Sequence, residues 1–254
     1  MDGRHTQGRH MDCQPETQRQ VYKWLINNQL CLLCNLSAQQ ERPICLDCEL
    51  DLPWLGAHCR ICALPLPAKG QVCGECLHKP PTFQQVEAMW RFRFPVDSLI
   101  SQFKHQSRWP YGRLLAELMA EHLQHAFAQG LSRPDFLLPV PLAKQRLRQR
   151  GFNQAGMLAD WLGKSLALPV ARSWLQRPVN TTAQQNLDAA ARKRNLRQAF
   201  HLSSEATVKD RHIAVIDDVL TTGATAEAIA RLLHKAGASR VDIYCLARTP
   251  RPGD

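Results

Sequence analysis

The segment from Ile213 to Thr225, IAVIDDVLTTGAT, constrains the fold more than any other part of this sequence. An apolar run typical of a buried strand leads directly into two aspartates, a short polar loop and the start of a helical pattern. In open α/β sheets, ligands bind beyond the carboxyl ends of the strands, and a helix N-terminus offers backbone N–H groups to an anion. The segment therefore predicts an α/β protein that binds a phosphate group where this strand ends.

The chain alternates strand and helix patterns from about Phe83 onwards. Predicted strands cover Val86 to Phe94, Asp135 to Leu142, Arg211 to Asp218 and Arg240 to Arg248, and predicted helices cover Tyr111 to Gln129, Asn153 to Leu166 and Ala224 to Ala236. This alternation is typical of parallel strands joined by crossover helices. We therefore expect an α/β fold built on one parallel sheet flanked by helices.

The residues around the aspartate pair favour a ribose 5-phosphate ligand. Asp217 and Asp218 can accept hydrogen bonds from neutral ribose hydroxyls, and a bound Mg²⁺ would reduce their repulsion of a phosphate. Gly223 lets the backbone approach the anion. The loop also carries hydroxyl donors on Thr221, Thr222 and Thr225. The alternative is a plain strand–turn–helix in which the acids only stabilise the turn.

Two polar segments upstream contain further candidate ligand-binding residues. The first runs from Leu137 to Ala155 and crowds three arginines before Gly151, namely Arg146, Arg148 and Arg150. Arginine binds diphosphate through two nitrogens at once, although a solvated basic loop is the alternative. The second, Arg177 to Phe200, is long and polar enough for a mobile lid, or for a plain surface loop and helix. Its side chains that could meet a ligand include Gln184, Arg192 and Arg194.

Eight cysteines form four CxxC pairs, with ten residues between successive pairs: Cys31/Cys34, Cys45/Cys48, Cys59/Cys62 and Cys73/Cys76. Four pairs in register are typical of zinc sites, and eight thiolates complete two tetrahedral shells. Pairing of neighbours in the sequence is the simpler arrangement, and interleaved pairing is the alternative. A shell of four thiolates leaves no open position for chemistry, so we expect two structural zincs.

Three segments together resemble the ComF/GntX family of bacterial competence and DNA-utilisation proteins: LPVPL followed by RGFNQ, the polar segment ending in Ala199-Phe200, and IDDVLTTGAT. FKHQSR, from Phe103 to Arg108, resembles a further family segment. The resemblance spans about residues 30 to 249 and implies a type I phosphoribosyltransferase-like sheet preceded by a small double zinc ribbon. It implies that Asp217 and Asp218 hold ribose hydroxyls of phosphoribosyl diphosphate (PRPP).

The resemblance also assigns roles to the remaining candidates. The loop that holds the 5′-phosphate would comprise Thr221, Thr222, Gly223, Ala224 and Thr225. The arginines Arg146, Arg148 and Arg150 fall where the family has its pyrophosphate loop. Gln184, Arg192 and Arg194 fall in the position of its flexible catalytic loop. We expect a disordered tail over residues 1–20, the double zinc ribbon over 21–82 and the phosphoribosyltransferase-like domain over 83–254.

The composition limits the cellular location and the partners that we expect. The chain of 254 residues has a formal net charge of +10, which favours anionic partners, and no run approaches the ~20 apolar residues of a membrane span. The N-terminal residues lack the apolar stretch of a secretory signal, so we expect a cytoplasmic protein without membrane insertion.

Two functions remain open at this point. One is a PRPP- and Mg²⁺-binding protein that acts in DNA uptake during natural transformation, or in DNA utilisation, with single-stranded DNA and other DNA-uptake proteins as partners. The basic segments would contact phosphates, and stacking candidates are Trp90, Phe92, Phe94, Trp109 and Phe152. The alternative is an active phosphoribosyltransferase of nucleotide metabolism, which transfers ribose 5-phosphate from PRPP to a base or amine. The sequence identifies no acceptor.

Overall fold

The computed structural model describes residues 29–177 and 199–250. The chain divides into two compact units, one ending at Asp51 and the other beginning at Leu52. The domain boundaries expected from the sequence stay predictions. Within the described ranges, no helix combines the length and apolarity that crossing a membrane requires.

The described part of the first unit consists of two cysteine-bearing turns and one short helix, α1 (Leu46–Leu50). An antiparallel bridge between Leu30 and Ser37 closes the first turn, and the Cys31 N–H donates to the Leu36 carbonyl over 2.7 Å. Few apolar side chains are buried here, Ile44 and Ala38 among them. A core this small needs a further source of stability, which bound metal can supply.

The second unit carries the sheet. Its elements are α2 (Gly74–His78), β1 (Gln85–Arg91), α3 (Val96–Gln106), α4 (Trp109–Ala128), β2 (Phe136–Pro139), α5 (Lys144–Arg150), α6 (Gln154–Leu166), β3 (Leu175–Gln176), β4 (His201–Leu202), β5 (His212–Leu220), α7 (Ala224–Lys235) and β6 (Arg240–Arg248). The main sheet has the order β1-β6-β5-β2, and every neighbouring pair is parallel. The expected α/β fold with a parallel sheet and flanking helices is therefore confirmed.

Strand β6 is apolar and buried, as its sequence predicted. It is buried along almost its whole length, as is usual for a parallel strand that is covered on both faces. Its neighbour β5 contributes Ile213 and Val215 to the same core, and α7 packs Ile229 and Leu233 against the sheet. This core fixes the position at which each parallel strand ends.

Four of the described helices were not expected from the sequence: the short helices α1 and α2 in the cysteine-bearing segment, and two longer ones that follow strands. Val96–Gln106 follows β1 directly, and Lys144–Arg150 replaces the expected basic loop. Lys, Gln, Arg and Leu all have good helix propensity, which accounts for the second case. That helix ends at Gly151, whose φ of 77° lies in the left-handed region that glycine adopts without strain.

Candidate functional site

The acid pair, Asp217 and Asp218, lies where β5 extends beyond its neighbour β2. Strand β2 ends at Pro139, which is in register with Ile216, whereas β5 continues to Leu220. Asp217 therefore remains paired with β6, in register with Cys245, but has no partner residue in β2. Both aspartates are half-buried. The strand runs two residues further than expected, and the acids stand at an open step of the sheet edge.

The environment of Asp217 favours its protonated form. Burial is the main cause, followed by the negative charge of Asp218, and together they raise the pKa of Asp217 to about 7. The Asp218 N–H donates to Asp217 Oδ1 over 2.9 Å, which opposes the shift in part. A carboxyl that is half-protonated near neutral pH is a common feature of ligand-binding and catalytic sites.

Lys104 supplies a positive charge to the acid pair. Its Nζ lies 2.8 Å from Asp218 Oδ2, and the two side chains are only 20% and 13% exposed. Lys104 also counteracts the raised pKa of Asp217 through its charge. Sequence reasoning assigned Lys104 no role, although it belongs to the FKHQSR segment. The only signal was that resemblance, because nothing local predicts contact between α3 and β5.

Gln154 connects Lys104 to the arginines. Its side chain is 1% exposed. Arg150 Nη1 donates to Gln154 Oε1 over 3.1 Å, and Gln154 Nε2 donates to the Lys104 carbonyl over 3.5 Å. A continuous set of contacts therefore leads from the end of the basic helix α5 through Lys104 to Asp218. The structure brings Arg150 and the acid pair into one neighbourhood.

The other two arginines of α5 are exposed. One of them lies near a further basic residue, Arg177, to which the sequence analysis assigned no role. Arg146 and Arg148 project into solvent. Burial, and then the charge of Arg146, lower the pKa of the Arg177 guanidinium. Arg177 was noted only as the start of the polar segment. The positive charges of Arg146 and Arg177 act on each other, so this part of the chain would attract a polyanion.

The phosphate loop, Thr221–Thr225, follows the acid pair and opens α7. Gly223 has a φ of 74°, and a Cβ built there would meet no atom within 4 Å, so the loop borders open space. No side chain caps the first turn of α7, apart from a long 3.4 Å contact from the Ala224 N–H to Thr222 Oγ1. Thr221 and Thr222 are exposed. The loop can therefore present backbone N–H and hydroxyl donors to a phosphate.

Glu227 fixes the start of α7 from the other side. Its carboxylate accepts hydrogen bonds from the Thr82 N–H and from Thr82 Oγ1, each over 2.8 Å. Arg231 pairs with the same carboxylate over 2.5 Å. These contacts hold the first turn of the helix in place, so the loop before it is presented from a fixed support.

The remaining candidates are the predicted catalytic residues and the aromatic residues predicted to stack on bases. Gln184, Arg192 and Arg194, the candidate catalytic residues, lie outside the described residues. Among the stacking candidates, Trp90 is 0% exposed and packs against Trp54, so its proposed role in stacking is wrong. Trp109 is 53% exposed and makes an edge contact with Phe152, which leaves both near the surface.

The first cysteine cluster unites Cys31, Cys34, Cys45 and Cys48, whose sulfurs lie within 4.8 Å of one another. Cys34 Sγ and Cys45 Sγ are 3.7 Å apart. A tetrahedral zinc with Zn–S bonds of about 2.3 Å separates its sulfurs by about 3.8 Å, so the donor set fits zinc. Burial disfavours ionisation of Cys31, but backbone hydrogen bonds from Cys34, Cys45 and Leu33 lower its pKa to about 6.

The second cluster unites Cys59, Cys62, Cys73 and Cys76 with the same spacing. Cys62 Sγ and Cys73 Sγ are 3.6 Å apart, and the Cys73 N–H donates to Cys59 Sγ over 3.3 Å. Burial opposes ionisation of Cys59, yet its backbone hydrogen bonds lower its pKa to about 7. Both clusters join pairs that are neighbours in the sequence, which confirms the sequential arrangement and not the interleaved one.

Comparison with known families matches both parts of the chain. The model of the phosphoribosyl transferase domain matches residues 147–253, which include the acid pair and the phosphate loop. The model of the double zinc ribbon domain matches residues 21–77, which include both cysteine clusters. The two expected modules are therefore present in the expected order.

Individual proteins are also similar to this chain. The DNA utilization protein YhgH of Escherichia coli (strain K12) is 38% identical over 174 residues, 68% of this chain and 76% of that protein. Competence protein F of Haemophilus influenzae is 33% identical with the same coverage. A purine phosphoribosyltransferase structure from Pyrococcus horikoshii Ot3 covers 53% of this chain and 70% of its own, with 21% identity and a TM-score of 0.30.

The identity to YhgH and Competence protein F extends over about three quarters of each relative. The parallel sheet, the acid pair beside its phosphate loop and the two four-sulfur clusters fit both family models. The chain therefore belongs to the ComF family of competence and DNA-utilisation proteins, with a double zinc ribbon before a phosphoribosyltransferase-type domain.

Proposed function

We propose that this protein binds PRPP together with Mg²⁺ and acts in DNA uptake or DNA utilisation. The observation that supports the proposal most is the acid pair on β5, which lies past the end of β2 and is separated from the open loop at Thr221–Thr225 only by Val219 and Leu220. A ligand that fits must combine a phosphate with neutral hydroxyl groups. The ribose 5-phosphate part of PRPP has this combination.

In this proposal the acid pair holds the ribose and the metal. Asp217 and Asp218 accept hydrogen bonds from the 2′ and 3′ hydroxyls, and Mg²⁺ near them offsets their repulsion of the phosphates. Lys104 neutralises part of that charge through its ion pair with Asp218. Thr221, Thr222 and Thr225, with the backbone at Gly223 and Ala224, hold the 5′-phosphate.

The diphosphate is proposed to lie on the basic side of the site. Arg146, Arg148 and Arg150 follow β2 on a single short helix, and Arg177 lies close enough to Arg146 to have its pKa lowered. Guanidinium groups bind diphosphate oxygens bidentately. Gln184, Arg192 and Arg194 are proposed to act on the bound ligand, which is the role that the family resemblance implies for them.

The DNA-related role rests on a second observation, the surface of the basic helix. Its lysine and first two arginines are exposed, and Trp109 and Phe152 provide aromatic groups beside its C-terminal end. Phosphate contacts and base stacking are how single strands are held without sequence preference. The relatives' names, DNA utilization protein and competence protein, agree with this partner.

Calorimetry tests the proposal. The full chain is titrated with PRPP and Mg²⁺, with ribose 5-phosphate, and with pyrophosphate, each with and without single-stranded DNA. We expect PRPP to bind more tightly than pyrophosphate, because only PRPP offers ribose hydroxyls to the acid pair. Equal affinities, or no PRPP binding, would refute the assignment of a ribose site.

A turnover assay separates the binding role from the alternative of an active phosphoribosyltransferase. PRPP and Mg²⁺ are incubated with the full chain and with bases or amines in turn, and the release of pyrophosphate is measured. Acceptor-dependent release that disappears in the Asp217→Asn variant would favour the enzyme. No release, together with PRPP binding, would favour a ligand-binding role.

A further inference from the structure

Arg248 bonds to both the second cysteine cluster and the phosphate loop. It lies at the carboxyl end of β6 and is 7% exposed. Its Nε donates to the Cys62 carbonyl over 2.9 Å, and its Nη1 donates to the Leu220 carbonyl over 3.1 Å. The same Nη1 also donates to the carbonyls of Thr221 and Thr249. One guanidinium therefore spans a metal-binding turn and the entry to the phosphate loop.

The metal-binding turn belongs to the core of the sheet. Ala63, directly after Cys62, is fully buried in the main core, and Ile61 packs against it. The segment before the turn is hydrogen-bonded along β1, since the Leu55 N–H donates to the Met89 carbonyl over 2.9 Å. A metal held by the second cluster fixes the turn, and with it the position of the Cys62 carbonyl.

The phosphate loop has few other anchors on this side. The Thr249 N–H donates to the Leu220 carbonyl over 3.0 Å, next to the Arg248 contact. Beyond this point Thr221 and Thr222 are exposed. The Arg248 guanidinium therefore helps to determine where the loop leaves β5. The position of that point sets the direction of the N–H groups of the loop.

We propose that Arg248 couples metal binding at the second cluster to ligand binding at the phosphate loop, a regulatory link that rests on the proposed ribose 5-phosphate site. Metal on the second cluster holds the Cys62 carbonyl, Arg248 is oriented by it, and the loop is fixed in the conformation that accepts a phosphate. Arg248 is a positioning residue and does not touch the ligand. Coupling of this kind is reciprocal, so the bound ligand also retains the metal.

The first cluster provides an internal control. Cys31, Cys34, Cys45 and Cys48 belong to the other compact unit, whereas the hydrogen bonds given above for Arg248 go to residues of its own unit. The proposal therefore predicts that the ligand protects one metal and not the other. Selective protection that persists in Arg248→Lys would instead indicate a general stabilisation of the second unit by the ligand.

The direct test is thiol alkylation of the zinc-loaded full chain in the presence of a chelator, with peptides identified by mass spectrometry. Saturating ribose 5-phosphate should slow alkylation of Cys59 and Cys62 at least fivefold, at the lower end of usual coupling strengths, and leave Cys31 and Cys34 unchanged. In Arg248→Lys the protection should disappear, because a lysine ammonium cannot bond both carbonyls through separate nitrogens.

A second measurement needs no ligand. Amide hydrogen exchange over residues 219–225 and 59–63 is compared between wild type, Arg248→Lys and a control, Arg240→Lys. Arg240 lies at the opposite end of β6 and is also bonded to several groups. We expect exchange at least tenfold faster in both segments for Arg248→Lys, and no change there for the control.

The outcomes separate the two proposals. Ligand binding without selective protection of the second cluster would overturn the coupling and leave the ribose 5-phosphate site intact. Failure of ribose 5-phosphate to bind would overturn that site, and the exchange experiment would still decide whether Arg248 fixes both segments. If Arg248→Lys does not fold, the absence of selective protection in the wild type still overturns the coupling.

Discussion

The Lys104 ammonium lies 2.8 Å from the Asp218 carboxylate, although the two residues belong to α3 and β5. The two side chains are largely shielded from solvent, so salt and water screen their attraction less than in a surface ion pair. The ion pair places a cation beside two carboxylates that would otherwise repel each other and an incoming phosphate. Lys104 therefore adjusts the charge of the site before any ligand arrives.

Replacement of Lys104 should shift the pH dependence of ligand binding. The lysine lowers the pKa of Asp217, so Lys104→Met should move that pKa above its value of about 7. A rise of about one unit would lower the ionised fraction at pH 7 about fivefold. Ribose 5-phosphate affinity at pH 7 should fall by about that factor and recover at higher pH. Titration calorimetry from pH 6 to 9 measures the midpoint, and Lys164→Met on an exposed site is the control.

The role of Lys104 shows where sequence reasoning reached its limit. The elements around the acid pair were predictable because each has a local signal: an apolar run for β5, and a glycine and threonines for the loop. Lys104 approaches Asp218 only after α3 packs beside β5, and no local pattern encodes such an approach. The prediction that Trp90 stacks on bases was wrong for the same reason, because the burial of Trp90 against the sheet and Trp54 depends on tertiary packing.

The zinc sites were predictable for a different reason. The CxxC pairs specify ligands by spacing alone, because each pair forms one tight turn that supplies two thiolates. Spacing did not decide between sequential and interleaved pairing, which depends on how the turns meet in three dimensions. The sulfur positions decide it for both clusters.

Metal analysis should find two zincs per chain. Each cluster offers four thiolates, so Cys31→Ser and Cys59→Ser should each reduce the content by about one zinc. Cys13→Ser removes a thiol outside the CxxC pattern and should leave the content unchanged. Elemental analysis of protein purified without added metal makes the measurement. A folded wild-type chain with almost no zinc would contradict the prediction.

Asp217 should make the chain less stable as the pH rises. Its pKa is about 7 in the folded chain and about 3.9 in an unfolded one, so the folded state binds the proton more tightly. Its contribution therefore stabilises the fold below about pH 4 relative to neutral pH, and that advantage is lost as the pH rises towards 7. Urea unfolding at several pH values measures the free energy of unfolding. In Asp217→Asn, the part of its pH dependence that comes from Asp217 should be absent. Identical pH profiles for both proteins would refute the raised pKa.

Binding of single-stranded DNA should be mostly electrostatic. Replacement of Arg146, Arg148 and Arg150 by glutamine should reduce the slope of log affinity against log salt by about 0.7 for each phosphate that the variant no longer neutralises. Trp109→Ala should cost about 1–3 kcal/mol if a base stacks there. Fluorescence anisotropy across a salt series gives both quantities. Arg113→Gln and Arg231→Gln remove charges on other helices and should have little effect.

The sharpest prediction concerns the double variant Asp217→Asn with Asp218→Asn. The change removes the charged acceptors proposed for the ribose hydroxyls and nearly preserves side-chain shape. A hydrogen bond to a charged group is worth about 1.5–3 kcal/mol, and each asparagine keeps an amide oxygen acceptor, so each residue loses only part of that energy. For the two residues together, PRPP affinity should fall by about tenfold to a thousandfold. Pyrophosphate makes no use of ribose acceptors, so its affinity should stay the same or increase as negative charge is removed.

The comparison of the two ligands on one protein separates a ribose site from a general anion site. Asp160→Asn is the matched control, because it also turns an ion-paired acid into an amide. Asp160 lies on α6 and pairs with Arg172. The control should leave both affinities unchanged. A folded double variant with unaltered PRPP binding would rule out the ribose role. A double variant that does not fold would instead mean that the acids stabilise the turn after β5, since Asp217 and Asp218 would then be needed before any ligand is bound.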